Sequence, residues 1–156
     1  TFFQSKDGDP YLVFCHEWLQ VHDGEVCAMK LTPDLKAAAG EPRVLFRASQ
    51  APWVVPSVDK DGNKNYVTDG PWLHRCPDGR LMMLWSSHGK DGYAQAASYS
   101  DNGDITGNWT PAAEPIFGRD GGHGMIFRDF EGVQPLVLHA PNDTPYERPV
   151  FLPFEE

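Results

Sequence analysis

Apolar residues in this chain come in short runs, and the runs recur in a fixed order. An apolar opening is followed by a polar turn and then by a second apolar run. The openings are Thr1-Phe2-Phe3-Gln4, Pro71-Trp72-Leu73-His74 and Gly124-Met125-Ile126-Phe127. The turns are Lys6-Asp7-Gly8-Asp9, Pro77-Asp78-Gly79-Arg80 and Asp129-Phe130-Glu131-Gly132, and the second runs cover 11–14, 81–84 and 135–138. Runs this short, bounded by turn residues, predict strands, and Asp-Gly between two of them predicts a hairpin. Openings at positions 1, 71 and 124 are too far apart for a plain hairpin array. They fit a repeated multi-strand unit, which is how the blades of a β-propeller read in sequence.

Further runs complete the units. Residues 25–31 and 43–47 predict a third and fourth strand of the first unit, and 93–99 and 115–117 the matching pair of the second. Glu41-Pro42 precedes one fourth strand and Glu114-Pro115 the other. The third unit has two clear strands and a last segment, 147–154, which Pro149 and Pro153 restrict to a sheet edge. The expectation is an all-β chain forming a partial β-propeller of about three blades, built from four-stranded antiparallel sheets. The blade-like units would span 1–65, 66–118 and 119–156 of a single domain, with two blades complete and one partial. Only 33–39 predicts a helix, which Gly40 would end. Propellers close a ring of four to eight blades, so further blades are expected from elsewhere in a longer protein or from other chains.

Composition narrows the function. Hydrophobic content of 40% and aromatic content of 12% exclude a disordered chain, and 15 Gly and 14 Pro fit a turn-rich fold. A net charge of −9 argues against nucleic acid as a partner, because binding phosphates needs a basic face. No run approaches the roughly 18 apolar residues of a membrane helix. The three cysteines lack zinc-like spacing, and Cys15 and Cys27, inside apolar runs, are expected to be buried thiols. The chain opens with neither an initiator Met nor a signal peptide, so it reads as a piece of a longer polypeptide.

In a propeller the innermost strand of each blade lines the axis, so residues flanking the openings are pocket candidates. Before Pro71 stands Tyr66-Val67-Thr68-Asp69-Gly70, and before Gly124 stands Gly121-Gly122-His123. Val67 to Leu73 followed by Leu81 to Ser87 resembles the fourth blade of glycoside hydrolase family 43. Gly121 to Phe127 is similar to the opening of its fifth blade. The stretch from Tyr11 to Trp18, with Cys15-His16-Glu17-Trp18, is similar to the third blade of an arabinanase-like branch.

That resemblance implies the C-terminal three blades of a five-bladed propeller that hydrolyses arabinose- or xylose-containing polysaccharides or oligosaccharides with inversion. One carboxyl group protonates the leaving oxygen and another activates water, with roughly 6.5–9.5 Å between them. Asp69 occupies the place of the family's usual Glu acid, one methylene shorter, and Glu17 is the alternative acid. The family's base and the carboxylate that orients the acid belong to positions outside this chain, so the isolated fragment is expected to be inactive. His16, Trp18, Trp72 and Arg148 are the candidate substrate-binding residues. The indoles would offer apolar faces to a sugar or else pack between blades. His123 matches an axial His that helps to hold a calcium ion, or else hydrogen-bonds to the catalytic site. The resemblance alone also implies an extracellular or periplasmic, bacterial location. The alternative reading is a non-catalytic carbohydrate-binding or structural propeller piece.

Overall fold

The structure, a computed structural model, describes residues 1–154. The first sheet is a meander of β1 (Phe2–Gln4), β2 (Pro10–His16), β3 (Glu25–Lys30) and β4 (Arg43–Arg47), in that order. A small hairpin of β5 (Ser57–Val58) and β6 (Lys64–Asn65) follows. The second sheet runs in the order of the chain from β7 (Asp69–Arg75) through β8 (Leu81–Gly89) and β9 (Gly92–Ser100) to β10 (Trp109–Pro111). The third is β11 (Gly122–Ile126), β12 (Leu136–Ala140) and β13 (Arg148–Leu152). Every pairing within these sheets is antiparallel. The sheets stack face to face in chain order, with β7 against both β2 and β11, and the molecule is part of a β-propeller.

One turn design makes the first hairpin of every sheet. The N–H groups of Ser5, Cys76 and Asp129 donate to the carbonyls of Asp9, Arg80 and Val133. Inside each loop, Gly8, Gly79 and Gly132 donate back to the first residue and sit at φ of +86°, +88° and +86°. Glycine adopts this left-handed conformation without a Cβ clash, giving a tight turn ending in a bulge.

The middle sheet explains its own sequence. Leu81, Met83 and Trp85 of β8 point to the first sheet, where they meet Phe3, Val13, Val26 and Phe46. Met82 and Leu84 point the other way, onto Ile126, Leu136 and Leu138. A strand buried on both faces needs an unbroken apolar run, which is what Leu81-Met82-Met83-Leu84-Trp85 supplies. The outer sheets are apolar on their far faces too. Phe2 and Leu12, paired in register, are exposed on the first sheet, and Met125 and Phe151 on the third. Such faces are expected of blades whose next neighbours lie outside this chain.

Two expectations need correction. Residues 33–39 are turns and not a helix, since Leu35 sits at φ +62°. Thr32 Oγ1 donates to Asp34 Oδ1 at 2.6 Å and accepts from the Ala37 N–H, and Ala39 N–H returns to Lys30 O. Less than two turns of helix cannot repay nucleation against these local bonds. The helix that does form is α1 (Trp18–Val21), directly after β2. The fourth strand of the second sheet is β10, not 115–117, because buried Trp109 anchors the chain there and donates Nε1 to Ile105 O at 3.2 Å. Phe117 keeps only a lone bridge to Gln95.

Trp85 is fully buried, edge-on to Phe46 at 5.1 Å between ring centroids and tilted against Trp53 at 5.3 Å. Trp85→Ala should therefore cost about 3–5 kcal/mol, measured as a lower urea midpoint at unchanged slope. A loss below about 1 kcal/mol would mean that this interface is not the core of the stack.

Candidate active site

Two adjacent blades build the site where β7 and β11 begin. Asp69 opens β7, and the ladder between β7 and β8 is irregular from Asp69 to Trp72, which loosens the amino-terminal end of the strand. Gly70 has φ +55°, and a Cβ there would lie 3.0 Å from the His123 ring, so the sequence needs glycine for the ring to approach. His123 itself sits at φ +53° in a bulge of β11. Its N–H donates to Ser86 Oγ at 2.8 Å, and the Gly124 N–H donates to Gln95 Oε1 at 2.5 Å. Gln95 is wholly buried and passes the bond on through Nε2 to Trp85 O at 2.9 Å. Gly122 lies so close to Ser86 Oγ and the Tyr93 ring that a Cβ would stand 2.7 Å from each. The Gly-Gly-His-Gly stretch is thus a backbone splice between blades.

The splice aims His123 Nδ1 at Asp69 Oδ2, 3.3 Å away. The same oxygen accepts from Tyr93 Oη at 2.7 Å, while Asp69 Oδ1 accepts from the Gly70 N–H at 2.9 Å. These groups open into a cavity of about 390 Å³ that Cys15, Glu17 and Trp72 also line. Cys15 and Glu17 are two apart and face the cavity together, as alternation along an extended chain requires.

The charges in the cavity are unequal. Burial pushes the Asp69 carboxyl up, but the bonds from His123 and Tyr93 and the His123 charge outweigh it and hold the group below the ordinary carboxylate range. Glu17 moves the other way, raised first by burial and then by the Asp69 charge, with His16 opposing. His123 is raised by its bond to Asp69, against burial. Burial, together with the Asp69 charge and hydrogen bond, lifts Tyr93 far above its usual value and keeps it a neutral donor. Burial pushes the Cys15 thiol up to about 12, so it is not a nucleophile at neutral pH.

Asp69, Glu17, Trp72 and His123 therefore share one cavity. His16 does not join them, because it is one residue out of phase with Glu17. Its Nδ1 meets Glu25 Oε2 at 3.0 Å on the other face of the sheet, and Arg47 Nη2 donates to Glu25 Oε1 at 2.6 Å. Trp18 begins α1 and is absent from the cavity wall. Arg148 lies in an adjoining cleft of about 340 Å³ that His123 and His139 also line, and it donates to the carbonyls of Pro145 and Glu147. Tyr93, Cys15 and Met125 were not named as site residues from the sequence. Strand alternation from Glu17 points to Cys15, but the Tyr93 contact spans 24 positions and leaves no local signal.

His123 was also the calcium candidate. Calcium prefers six to eight oxygen ligands. His123 offers an imidazole whose Nδ1 is engaged by Asp69, and no group of three or more His, Cys, Asp or Glu side chains among the described residues is placed to hold a metal. These residues do not by themselves fit a calcium cage.

The Asp69–His123 pair makes stability depend on pH. Asp69, depressed, contributes above its ordinary value of 3.8, and the contribution is lost as pH falls through its folded pKa. His123, raised, contributes fully below 6.5 and loses it as pH rises through its folded value. Both side chains are partly exposed, so solvent keeps the effect modest. His123→Ala should then destabilise the protein more at pH 5.5 than at pH 9 in urea melts, and an equal loss at both would remove the ionic reading.

The profile of Glycosyl hydrolases family 43 matches residues 1–153. Among solved structures, the endo-arabinase of Bacteroides thetaiotaomicron VPI-5482 is 41% identical with a TM-score of 0.91. It aligns over 100% of this chain and 55% of its own. An endo-1,4-beta-xylanase from the same organism shares 19% identity, a TM-score of 0.71, and 100% and 57% coverage. An alpha-L-arabinofuranosidase from Lactobacillus brevis shares 20%, a TM-score of 0.67, and 99% and 51% coverage. At those lower identities the likeness is one of fold. The chain spans about half the length of each. No curated protein matches it. A family profile covering nearly every residue, a fold shared over the whole chain and a carboxylate pocket at the blade ends lead to one conclusion: the chain belongs to glycosyl hydrolases family 43.

Proposed function

We propose that this chain is the acid-bearing part of an inverting glycosidase acting on arabinose- or xylose-containing polysaccharides. The observation that carries the proposal is the pair of carboxyl groups in one cavity, Glu17 raised and Asp69 lowered. Environments that push two carboxyls apart are how one of them keeps a proton near neutral pH. Glu17 is the better proton donor. Burial raises Glu17 first, and Asp69, held ionised by Tyr93 and His123, adds a negative charge that raises it further. Likeness to an endo-arabinase at 41% identity supports an arabinan-type substrate over other glycans.

In the step proposed, the Glu17 proton passes to the glycosidic oxygen as the anomeric C–O bond breaks. Water, deprotonated by a base that this chain does not carry, forms the new bond from the opposite face. Trp72, on the cavity wall, gives the sugar an apolar surface. Isolated from the rest of the fold, the chain would bind sugar weakly and turn over nothing.

Glu17→Gln in the full-length protein should lower kcat on arabinan by about 10²–10⁴. The loss should be much smaller on aryl glycosides whose leaving groups need no proton. Asp69→Asn should shift the basic limb of the pH profile to lower pH, because removing its charge lowers the Glu17 pKa. Equal losses for good and poor leaving groups with Glu17→Gln would remove the assignment. Full activity in both variants would favour a role confined to binding.

A further inference from the structure

We propose that a cleft between the first and second blades, outside the catalytic cavity, is a second binding site for the same polysaccharide chain. The cleft encloses about 480 Å³, more than the 390 Å³ of the catalytic cavity. Its walls come from three segments of this chain: the loop carrying Trp53, the β8–β9 tip carrying Lys90 and Asp91, and the segment carrying Glu114 and Pro115. The blades that adjoin this chain in the ring are not needed to form it.

The loop is fixed in place. Val55 N–H donates to His88 O at 2.9 Å, and the Trp53 ring rests against Trp85. Gly89, at the end of β8, brings the backbone to within ordinary contact of Trp53, so a Cβ there would meet the indole at 3.6 Å. The result is a rigid, half-buried indole beside proline and alanine surface, rimmed by the exposed side chains of Lys90, Asp91 and Glu114. An apolar wall with a few charged groups at the rim suits a neutral, hydroxyl-rich ligand: the indole takes sugar C–H faces, and the carboxylates accept hydroxyl protons.

The cleft also lies at the right end of the blade. Ser86 is paired with Asp69 at the catalytic cavity, and Gly89 is three residues further along the same strand. That is about 10 Å at ~3.3 Å per residue. A polymer lying in the cavity can also reach the cleft, whereas a one- or two-residue sugar held in the cavity falls short. The site would raise affinity for long chains by linking two weak contacts.

The inference rests on the glycosidase reading, and the test separates the two. In the full-length protein carrying Glu17→Gln, so that ligand survives, binding of linear arabinan, arabinoxylan and arabinobiose would be measured by affinity electrophoresis and calorimetry. Trp53→Ala, and separately Asp91→Asn with Glu114→Gln, should weaken polymer binding five- to tenfold and leave arabinobiose within twofold. The double variant changes only exposed side chains, so it keeps the test valid if Trp53→Ala unfolds. Polymer binding unchanged in the double variant and in folded Trp53→Ala protein would overturn the cleft while leaving the glycosidase reading intact. Failure of the protein without these changes to bind any of the three ligands, or to cleave the polymers with Glu17 restored, would overturn both.

Discussion

One carboxylate organises the working end of this molecule. Asp69 accepts from its neighbouring backbone, from Tyr93 on β9 and from His123 on the next sheet. Those contacts tie the first and third strands of one blade to the first strand of the next. The other unusual features of the cavity follow from them. Gly70 carries no Cβ because His123 lies there, and His123 takes a left-handed backbone so that its ring can turn toward Asp69 while its N–H reaches Ser86. Because these groups solvate Asp69 so well, its carboxyl stays below the ordinary range, while burial and then the Asp69 charge raise Glu17. The two carboxyls of the cavity are told apart by burial and by who holds the hydrogen bonds, not by which residue is Asp or Glu.

Adhesion between the blades has two parts. Apolar contact does most of the holding, through the alternating faces of β8, and is non-directional. Direction comes from a few polar splices. Asp104 accepts the Lys6 N–H at 2.8 Å, and Arg43 donates to Thr106 O at 2.5 Å and Gly107 O at 3.0 Å, which pins the first sheet to the loop after β9. Gln95 and Ser86 do the same for the third sheet through backbone N–H groups of the Gly-Gly-His-Gly stretch. Buried bonds of this kind have one satisfied arrangement, which is what keeps the cavity groups of two blades in register.

How much could be foreseen follows the range of each interaction. The blades were legible because their turns are local: an Asp-Gly turn needs only a few residues to close, and its glycine announces itself. The β8 run was legible as a strand for the same reason, while its burial on both faces emerged only from the stacked sheets. Residues 33–39 misled because alanine propensity is weaker than the Thr32–Asp34 turn bonds beside it, and 115–117 misled because a Glu-Pro pair was matched across blades while Trp109 had set the strand earlier. Asp69 and His123 could be named from their position at strand openings, and Glu17 from its place at the end of β2. Their division of labour could not, since it depends on Tyr93 and on packing between sheets. His16 shows the sharpest limit: it adjoins Glu17 in sequence, yet period-two alternation sends it to Glu25 and Arg47 on the opposite face.

The same alternation explains how one strand end can serve two surfaces. Ser86 and Ser87 are neighbours on β8 and point to opposite faces of the second blade. Ser86 accepts from His123 and so supports the catalytic cavity toward the third sheet. Ser87, toward the first sheet, sits opposite Ala94 behind the Trp53 cleft with its hydroxyl unpaired. A blade packed on both faces must place polar residues at its outer end on both sides, where the neighbouring sheets diverge and close packing runs out. On one side a backbone N–H bridges the gap and helps to wall the carboxylate cavity. On the other the loop bearing Trp53 spans the gap and leaves a cleft walled by its indole. The two hollows need no separate scaffold, because a single strand end faces both ways.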